Sequence, residues 1–171
     1  DNNFRLEDID HVILTGVGSE YISQPIYGLP TSKCDEFVAD GLGARYESGI
    51  DKAIVVSMGT GTSFVKCEGC NMEHIGGIGT GGGTLQGLSR LLLNTNDIKF
   101  VSEIATRGNL GNINLLIGDI SAKPLPGLPM DATASLFGKA QSNTSQEDIA
   151  KGLVCLVLQS IGSAAILAGQ G

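Results

Sequence analysis

Two glycine-rich clusters, separated by a short stretch of chain, place the strongest constraint on what this sequence can fold into. The first reads GTGTS over residues 59–63, and the second reads GGIGTGGG over residues 76–83. Because glycine has no Cβ atom, such segments turn tightly and let a backbone approach a ligand closely. The runs that flank the clusters predict that the first joins two strands and the second joins a strand to a helix.

Both clusters are also rich in hydroxyl side chains, which favours an interaction with phosphate. Backbone N–H groups at a glycine loop or a helix N-terminus bind anions. The alternative is that both clusters are only tight turns. Neither is a Walker motif, since no Gly-Lys-Ser/Thr follows, and the first is no dinucleotide fingerprint, since it joins two strands. The hydroxyls that could reach phosphate oxygens or a metal-bound water are those of Thr60, Thr62, Ser63, Thr80 and Thr84.

The composition predicts a folded chain, and the mixture of strands and helices predicted below indicates that it is of the α/β class. The 171 residues are 42% hydrophobic and only 17% charged, which excludes an intrinsically disordered protein. Aromatic residues make up 5% and tryptophan is absent from the sequence, so the core must be mainly aliphatic. The length suits one domain or two small lobes.

The charge and the distribution of apolar residues exclude several kinds of partner. A formal net charge of −7 repels phosphate backbones, so we predict no nucleic-acid partner, although a small phosphorylated ligand remains compatible. No run reaches 18 consecutive apolar residues, so we predict no membrane span. The polar, acidic start is unlike a signal peptide, and we expect a cytoplasmic protein.

The four cysteines are predicted to be reduced thiols. Cys67 and Cys70 have the spacing of a metal knuckle, but a zinc site needs two further ligands and no second pair follows. The pattern favours a hairpin turn at Glu68-Gly69, with metal or redox chemistry as the alternative. The other two cysteines are Cys34 and Cys155.

Hydrophobic periodicity and capping residues predict a mixture of strands and helices. Thr31 or Ser32 is expected to cap the first helix, and residues 145–148 open a long apolar helix. The predicted strands are 11–15, 52–58 as a central strand, and a hairpin of 64–67 with 71–75; the predicted helices are 33–47, 84–93, 97–107, 132–141 and a last one to about residue 168.

Two positions near these elements admit both a structural and a chemical interpretation. Asp35 and Glu36 fall near the start of the first helix, where negative charge is favourable, and a carboxylate there could also act as a general base. His74 is separated from the second glycine cluster by one residue. It is either a polar strand residue that faces solvent or a substrate contact at the mouth of the loop.

The segment GTGTSFVKCEGCNMEHIGGIGTGGGTLQG, residues 59–87, resembles the middle of the type II pantothenate kinases of the acetate/sugar kinase–Hsp70–actin superfamily. CDEF at 34–37, GLG at 41–43 and motifs between Asp119 and Asp148 follow in the family's order, so the resemblance extends over residues 15–168. It implies an actin-like ATPase or ribonuclease H-like fold. It also implies ATP- and Mg²⁺-dependent phosphorylation of pantothenate to 4'-phosphopantothenate, the first step of coenzyme A biosynthesis, by a homodimer.

The resemblance also implies roles for particular residues. Glu36 matches the catalytic base that takes the proton of the pantothenate hydroxyl. His74 stands where the family usually has an arginine that grips the pantothenate carboxylate, and an imidazole holds a carboxylate more weakly than a bidentate guanidinium does. Gly59 and Thr62 are assigned to the same substrate side. No residue is assigned to a metal. The implied ATP contacts are Thr60, Gly82, Gly83, Thr84, Leu85, Gln86 and Ile98.

By the same resemblance, residues 1–50 are the remainder of an N-terminal lobe with the base helix, and residues 51–171 are an incomplete C-terminal lobe with the glycine loops. The family's Asp-x-Gly-Gly-Thr phosphate motif and its adenosine motif are not found in the sequence. We therefore expect an incomplete fold that is inactive by itself. Two alternatives stay open: another small-molecule kinase or ATPase of the superfamily, and a nucleotide-binding protein without turnover.

Overall fold

A computed structural model describes residues 5–170. Strands and helices are mixed, which confirms the predicted α/β class. The chain divides into two compact units. Unit 1 contains the residues up to Ser57 together with Ser63–Gly76, and unit 2 contains Met58–Thr62 and the residues from Gly77 onwards.

Unit 1 begins with short elements and one longer helix. Strands β1 and β2 pair in parallel, with Val12 opposite Thr31 and Leu14 opposite Lys33. Asp35 caps the helix that follows, because its side chain accepts hydrogen bonds from the N–H groups of the first turn. The elements are a 3₁₀ helix at Leu6–Asp8, β1 at Val12–Leu14, a 3₁₀ helix at Val17–Tyr21, β2 at Thr31–Lys33 and α1 at Glu36–Ser48.

A three-stranded sheet follows, with β3 at Lys52–Met58, β4 at Thr62–Glu68 and β5 at Asn71–Ile78. The two-residue turn between β4 and β5 has Gly69 at a φ of 61°, which confirms the predicted hairpin. The strand order is β3-β4-β5, so the prediction that β3 is central is wrong. The middle position belongs to β4, because that strand carries the buried side chains of Phe64, Val65 and Cys67.

Unit 2 is held together by three helices. Its core consists of Leu93 from α2, Val101, Ile104 and Ala105 from α3, and Ala150 and Leu153 from α5. Ser145 caps α5, as predicted, with its hydroxyl accepting from the N–H of Asp148. The elements are α2 at Gly82–Leu93, α3 at Ile98–Ala105, a 3₁₀ helix at Leu110–Asn112, β6 at Leu115–Leu116, α4 at Ile117–Ile120, β7 at Thr133–Ser135 and α5 at Gln146–Ala168.

Two predicted helices are wrong in part or in whole. The first helix is predicted to begin at about residue 33 with Thr31 or Ser32 as its cap, but residues 31–33 are extended because they pair with β1. The actual cap is Asp35, and α1 begins at Glu36. Residues 132–141 form β7 and turns instead of a helix. The buried amide of Asn114 stabilises those turns, since its Oδ1 accepts the N–H of Phe137 at 3.0 Å.

Helix α5 bears on the prediction that no segment could span a membrane. It is long and apolar enough to do so by length and composition alone. The same helix packs against α2 and α3 and buries Leu153, Val157 and Ile161. A core helix of a globular unit has this composition as well, so the finding assigns no location to the protein.

Candidate functional site in each unit

In unit 2, the two glycine clusters lie against each other. The N–H of Gly82 donates to the carbonyl of Gly59 at 2.8 Å, and the N–H of Gly83 donates to the carbonyl of Thr60 at 2.9 Å. The N–H of Gly59 in turn donates to the carbonyl of Gly61 at 2.9 Å. The first loop therefore closes onto the N-terminus of α2.

This packing explains why glycine is needed at the start of α2. A Cβ at Gly81 would lie 2.6 Å from the carbonyl oxygen of Gly61, and one at Gly83 would lie 2.8 Å from Cγ2 of Thr60. Side chains of any size would separate the loops. By contrast, Gly79 faces open space. Some of the glycines are therefore explained by the turns and by the close contact between the two loops, without any ligand.

The same bonds limit how the loops can hold an anion. The N–H groups of Gly82 and Gly83 are engaged by loop carbonyls, and the buried Thr62 donates its hydroxyl to the carbonyl of Thr80 at 2.8 Å. The hydroxyl of Thr84 donates to the carbonyl of Gly79 at 3.1 Å. The N–H groups and hydroxyls that are predicted to contact a ligand therefore already make hydrogen bonds within the protein.

The other predicted nucleotide residues lie in the first glycine loop and near the starts of α2 and α3. Thr60 is exposed in the first loop and Gln86 is exposed on α2. Leu85 packs against the core of unit 2, so its side chain has a structural role there. Ile98 is the first residue of α3 and is half-buried.

In unit 1, the two neighbouring acidic residues, Asp35 and Glu36, make different hydrogen bonds. Asp35 is the N-cap of α1, and its Oδ1 accepts from the N–H groups of Phe37 at 2.9 Å and Val38 at 3.1 Å. Glu36 does something else: its Oε2 accepts the N–H of Val17 at 2.9 Å. Both residues line a cleft, but the Asp35 carboxylate is engaged in capping α1, whereas the Glu36 carboxylate is held by the N–H of Val17.

That cleft lies between the loop after β1 and the start of α1. Its volume is about 290 Å³, and its lining residues include Glu36 and Phe37. Lys33 and Glu20 also line it and form an ion pair of 2.8 Å. The cleft is therefore lined by charged residues together with one aromatic residue.

Helix α1 runs along β5 and the turn residue that precedes it, Cys70, through a ladder of three contacts. The ring of Phe37 stacks on that of His74, with the centroids 4.0 Å apart and the planes 15° from parallel. One turn later Gly41 lies against Met72, where a Cβ would be 2.5 Å from the Met72 sulfur. One turn later again Nη1 of Arg45 lies 3.8 Å from the sulfur of Cys70.

The ladder follows from the repeat lengths of the two elements. Four residues of an α-helix rise about 6 Å, and two residues of a strand rise about 6.6 Å. Steps of four along α1 therefore keep pace with steps of two along β5. Since the helix numbering rises from 37 to 45 while the strand numbering falls from 74 to 70, the two elements are antiparallel.

The far end of the ladder is charged. A side-chain hydrogen bond to Asp51 raises the pKa of Arg45, and the nearby Cys70 contributes in the same direction. Burial raises the pKa of the Cys67 thiol, so this cysteine is poorly reactive. In the described part of the chain, no three His, Cys, Asp or Glu side chains form a group that could hold a metal ion.

Three residues of this site escape identification from the sequence. Val17 contributes only its backbone N–H, which no side-chain pattern can reveal. Gly41 lies inside a helical pattern, and a glycine there is a recognised sign of close packing. The periodicity places Phe37 only on the apolar face of its helix.

Comparison with known proteins identifies the family. The Fumble family model matches residues 44–171. A type II pantothenate kinase of Staphylococcus epidermidis is 35% identical over 140 residues, and one of Staphylococcus aureus is 37% identical over 137 residues. Each match covers 77% of this chain and 51% of the relative, so the chain spans about half the length of these relatives. The resemblance seen in the sequence is confirmed, and the chain belongs to the Fumble family.

Proposed function

We propose that this protein phosphorylates pantothenate with ATP, as the names of its relatives indicate for them. The structural observation that carries the proposal is the carboxylate of Glu36, which lines a cleft and is oriented by the N–H of Val17. A general base needs this combination of access and fixed orientation.

In the proposed reaction, the primary hydroxyl of the acceptor attacks the γ-phosphorus of ATP. The bond between that phosphorus and the β,γ-bridging oxygen breaks, and ADP leaves. Glu36 accepts the hydroxyl proton through the carboxylate that Val17 orients. Enzymes catalyse phosphoryl transfer mainly by positioning the reactants and by stabilising charge in the transition state. The contribution expected from unit 1 is therefore a carboxylate held in one orientation.

Unit 2 is the proposed nucleotide side. The start of α2 provides the positive end of a helix dipole, and the exposed Thr60 provides a hydroxyl beside it. Because Gly82 and Gly83 donate to loop carbonyls, the phosphate contacts would come from other N–H groups of these loops or from a small opening of the first loop. Gln86 and Ile98 are proposed to lie on the adenosine side.

Magnesium is proposed to arrive with the nucleotide, where it neutralises the phosphate oxygens. A homodimer is likewise part of the proposal and rests on the family resemblance. A cytoplasmic location is proposed because the four cysteines are free thiols. The division into lobes near residue 50 is proposed on the same basis.

The acceptor carboxylate is proposed to bind at His74. This side chain is exposed, and one of its faces is covered by Phe37, so its ring nitrogens remain accessible in the plane of the ring. His74 also favours a second candidate, a kinase of the same superfamily with a different acceptor. The reason is that it stands where the family usually has the arginine that holds the pantothenate carboxylate. The third candidate is nucleotide binding without turnover.

A coupled ADP-release assay on the full-length protein separates the three candidates. The acceptors are pantothenate, its alcohol analogue pantothenol, and a panel of sugars, with a reaction lacking acceptor as the control. Pantothenate-dependent ADP release that is weaker with pantothenol supports the proposal. Release with a sugar alone supports the second candidate, and nucleotide binding with no release under any condition supports the third.

A further inference from the structure

The Phe37–His74 stack connects two parts of unit 1 that the proposed reaction uses. Phe37 directly follows Glu36 in α1 and lines the same cleft. Its other contact is the ring of His74 on β5, with 4.0 Å between the centroids. A nearly parallel stack restricts the plane of an exposed imidazole, which otherwise rotates freely about its side-chain bonds.

The distance between Phe37 and β5 depends on a contact one helical turn later in α1. Gly41 is buried, and a Cβ there would lie 2.5 Å from the sulfur and 3.1 Å from Cγ of Met72. A glycine inside a helix costs about 1 kcal/mol relative to alanine, so the close approach is what the glycine permits. The approach at Gly41 brings α1 near enough to β5 for two flat rings to stack at the next step of the ladder.

We infer that Phe37 is a positioning residue: it fixes the plane of His74 and thereby sets how well the acceptor is held beside Glu36. This inference rests on the proposed function, because it concerns the same acceptor. Aromatic pairs contribute about 0.5–1.5 kcal/mol beyond their buried area. The loss of the stack should therefore weaken acceptor binding by a factor of about 2 to 10.

The test is steady-state kinetics of the full-length protein with pantothenate and ATP. Phe37→Leu should raise the KM for pantothenate about 2- to 10-fold and leave the KM for ATP and kcat unchanged. Phe37→Tyr keeps the ring face and should restore the wild-type KM. Tyr46→Leu is the matched control, since it removes an aromatic side chain of the same helix that is 86% exposed.

Two further measurements separate positioning from general stability. In a His74→Ala background, Phe37→Leu should raise the KM for pantothenate no further, because the residue through which it acts is gone. In NMR spectra, the His74 ring protons should lose their upfield ring-current shift in Phe37→Leu and keep it in Phe37→Tyr. If Phe37→Leu does not fold, Phe37→Met replaces it, since a flexible thioether fills the gap without a ring.

Each outcome decides the matter. If the wild type turns over pantothenate and Phe37→Leu has an unchanged KM for it, the inference is wrong and the proposed function stands. Equal increases in both KM values, or full additivity with His74→Ala, assign Phe37 a structural role only and also overturn the inference. A wild type that does not phosphorylate pantothenate contradicts the proposed function itself, and the inference falls with it.

Discussion

The backbone N–H of Val17 donates a hydrogen bond of 2.9 Å to Oε2 of Glu36, and so ties the loop after β1 to the first residue of α1. The side-chain carboxylate is thereby oriented by the main chain rather than by another side chain. Hydrogen bonds between a charged acceptor and a backbone N–H are among the stronger ones in proteins. This bond explains how an otherwise accessible carboxylate keeps one orientation.

Glu36→Gln should lower turnover by about 100- to 10,000-fold, since an amide cannot accept the hydroxyl proton. ATP affinity should stay nearly unchanged, and the amide oxygen can still accept the N–H of Val17. Measurement of kcat together with nucleotide binding by calorimetry checks both parts. Glu47→Gln, which removes an exposed carboxylate from the other end of α1, is the control. Normal turnover in Glu36→Gln would exclude this residue as the base.

Gly16→Ala should disturb the same site through the backbone. Gly16 has φ 90° and ψ 154°, a region that other residues avoid at a cost of about 1–3 kcal/mol. The strain should move the Val17 N–H away from Glu36, so we expect a lower kcat with an unchanged KM for ATP. Gly18→Ala is the matched control, because Gly18 lacks the positive φ and has open space around its Cα. Equal effects of the two substitutions would refute this explanation.

His74→Arg should strengthen acceptor binding. A guanidinium binds a carboxylate with two parallel hydrogen bonds, and its plane can stack on Phe37 as the imidazole does. We expect a lower KM for pantothenate and little change for pantothenol, which has no carboxylate; the ratio of the two KM values is the measurement. If His74→Arg abolishes turnover of the true acceptor and neither form phosphorylates pantothenate, the site is built for another molecule.

Gly81→Ala should destabilise unit 2 by about 1–3 kcal/mol, because the new methyl group meets the backbone of the first glycine loop. Gly79→Ala adds the same methyl group two residues earlier, where it meets nothing within 4 Å, and should change the free energy of unfolding by no more than about 0.5 kcal/mol. Urea denaturation of both variants measures the difference. Similar stabilities would show that contact between the loops is not what requires glycine.

Asp148→Asn should destabilise the protein in a pH-dependent way. The pKa of Asp148 is lowered chiefly by the N–H of Asn109, at 2.6 Å, and then by the amide of Asn112. A lowered pKa in the folded state means that the carboxylate stabilises the protein above its ordinary pKa of about 3.9 and loses this effect as the pH falls through the folded value.

At pH 7 we therefore expect Asp148→Asn to lose about 1–3 kcal/mol, since the new amide places a donor against the donor of Asn112. The difference from the wild type should shrink as the pH falls below about 4. Chemical denaturation over this pH range measures it, with the exposed Asp131→Asn as the control. A loss that is the same at pH 7 and pH 3 would contradict the role given to the charge.

The amino-acid sequence by itself determined the elements whose signals are local. The apolar run at 52–58, the hairpin around Gly69 and the serine cap of α5 each depend on neighbouring residues, and each lies where the sequence predicts it. The family resemblance rests on the two glycine clusters together, and such a motif is also read directly from the chain. Glu36 and His74 are likewise selected as candidate site residues from the sequence alone, because each matches a position in the family's motifs.

Only the tertiary structure decided the features that depend on distant partners. Residues 31–33 and 133–135 are strands because β1 and β6 pair with them, and three residues are too few for a periodic pattern to show. The partner of Glu36 is a backbone N–H 19 residues away, and the partner of Phe37 lies on another element. The sequence predicts that the glycines of α2 face a ligand, but the structure places the first loop against them, because Gly81 and Gly83 carry no Cβ atom to hold that loop away.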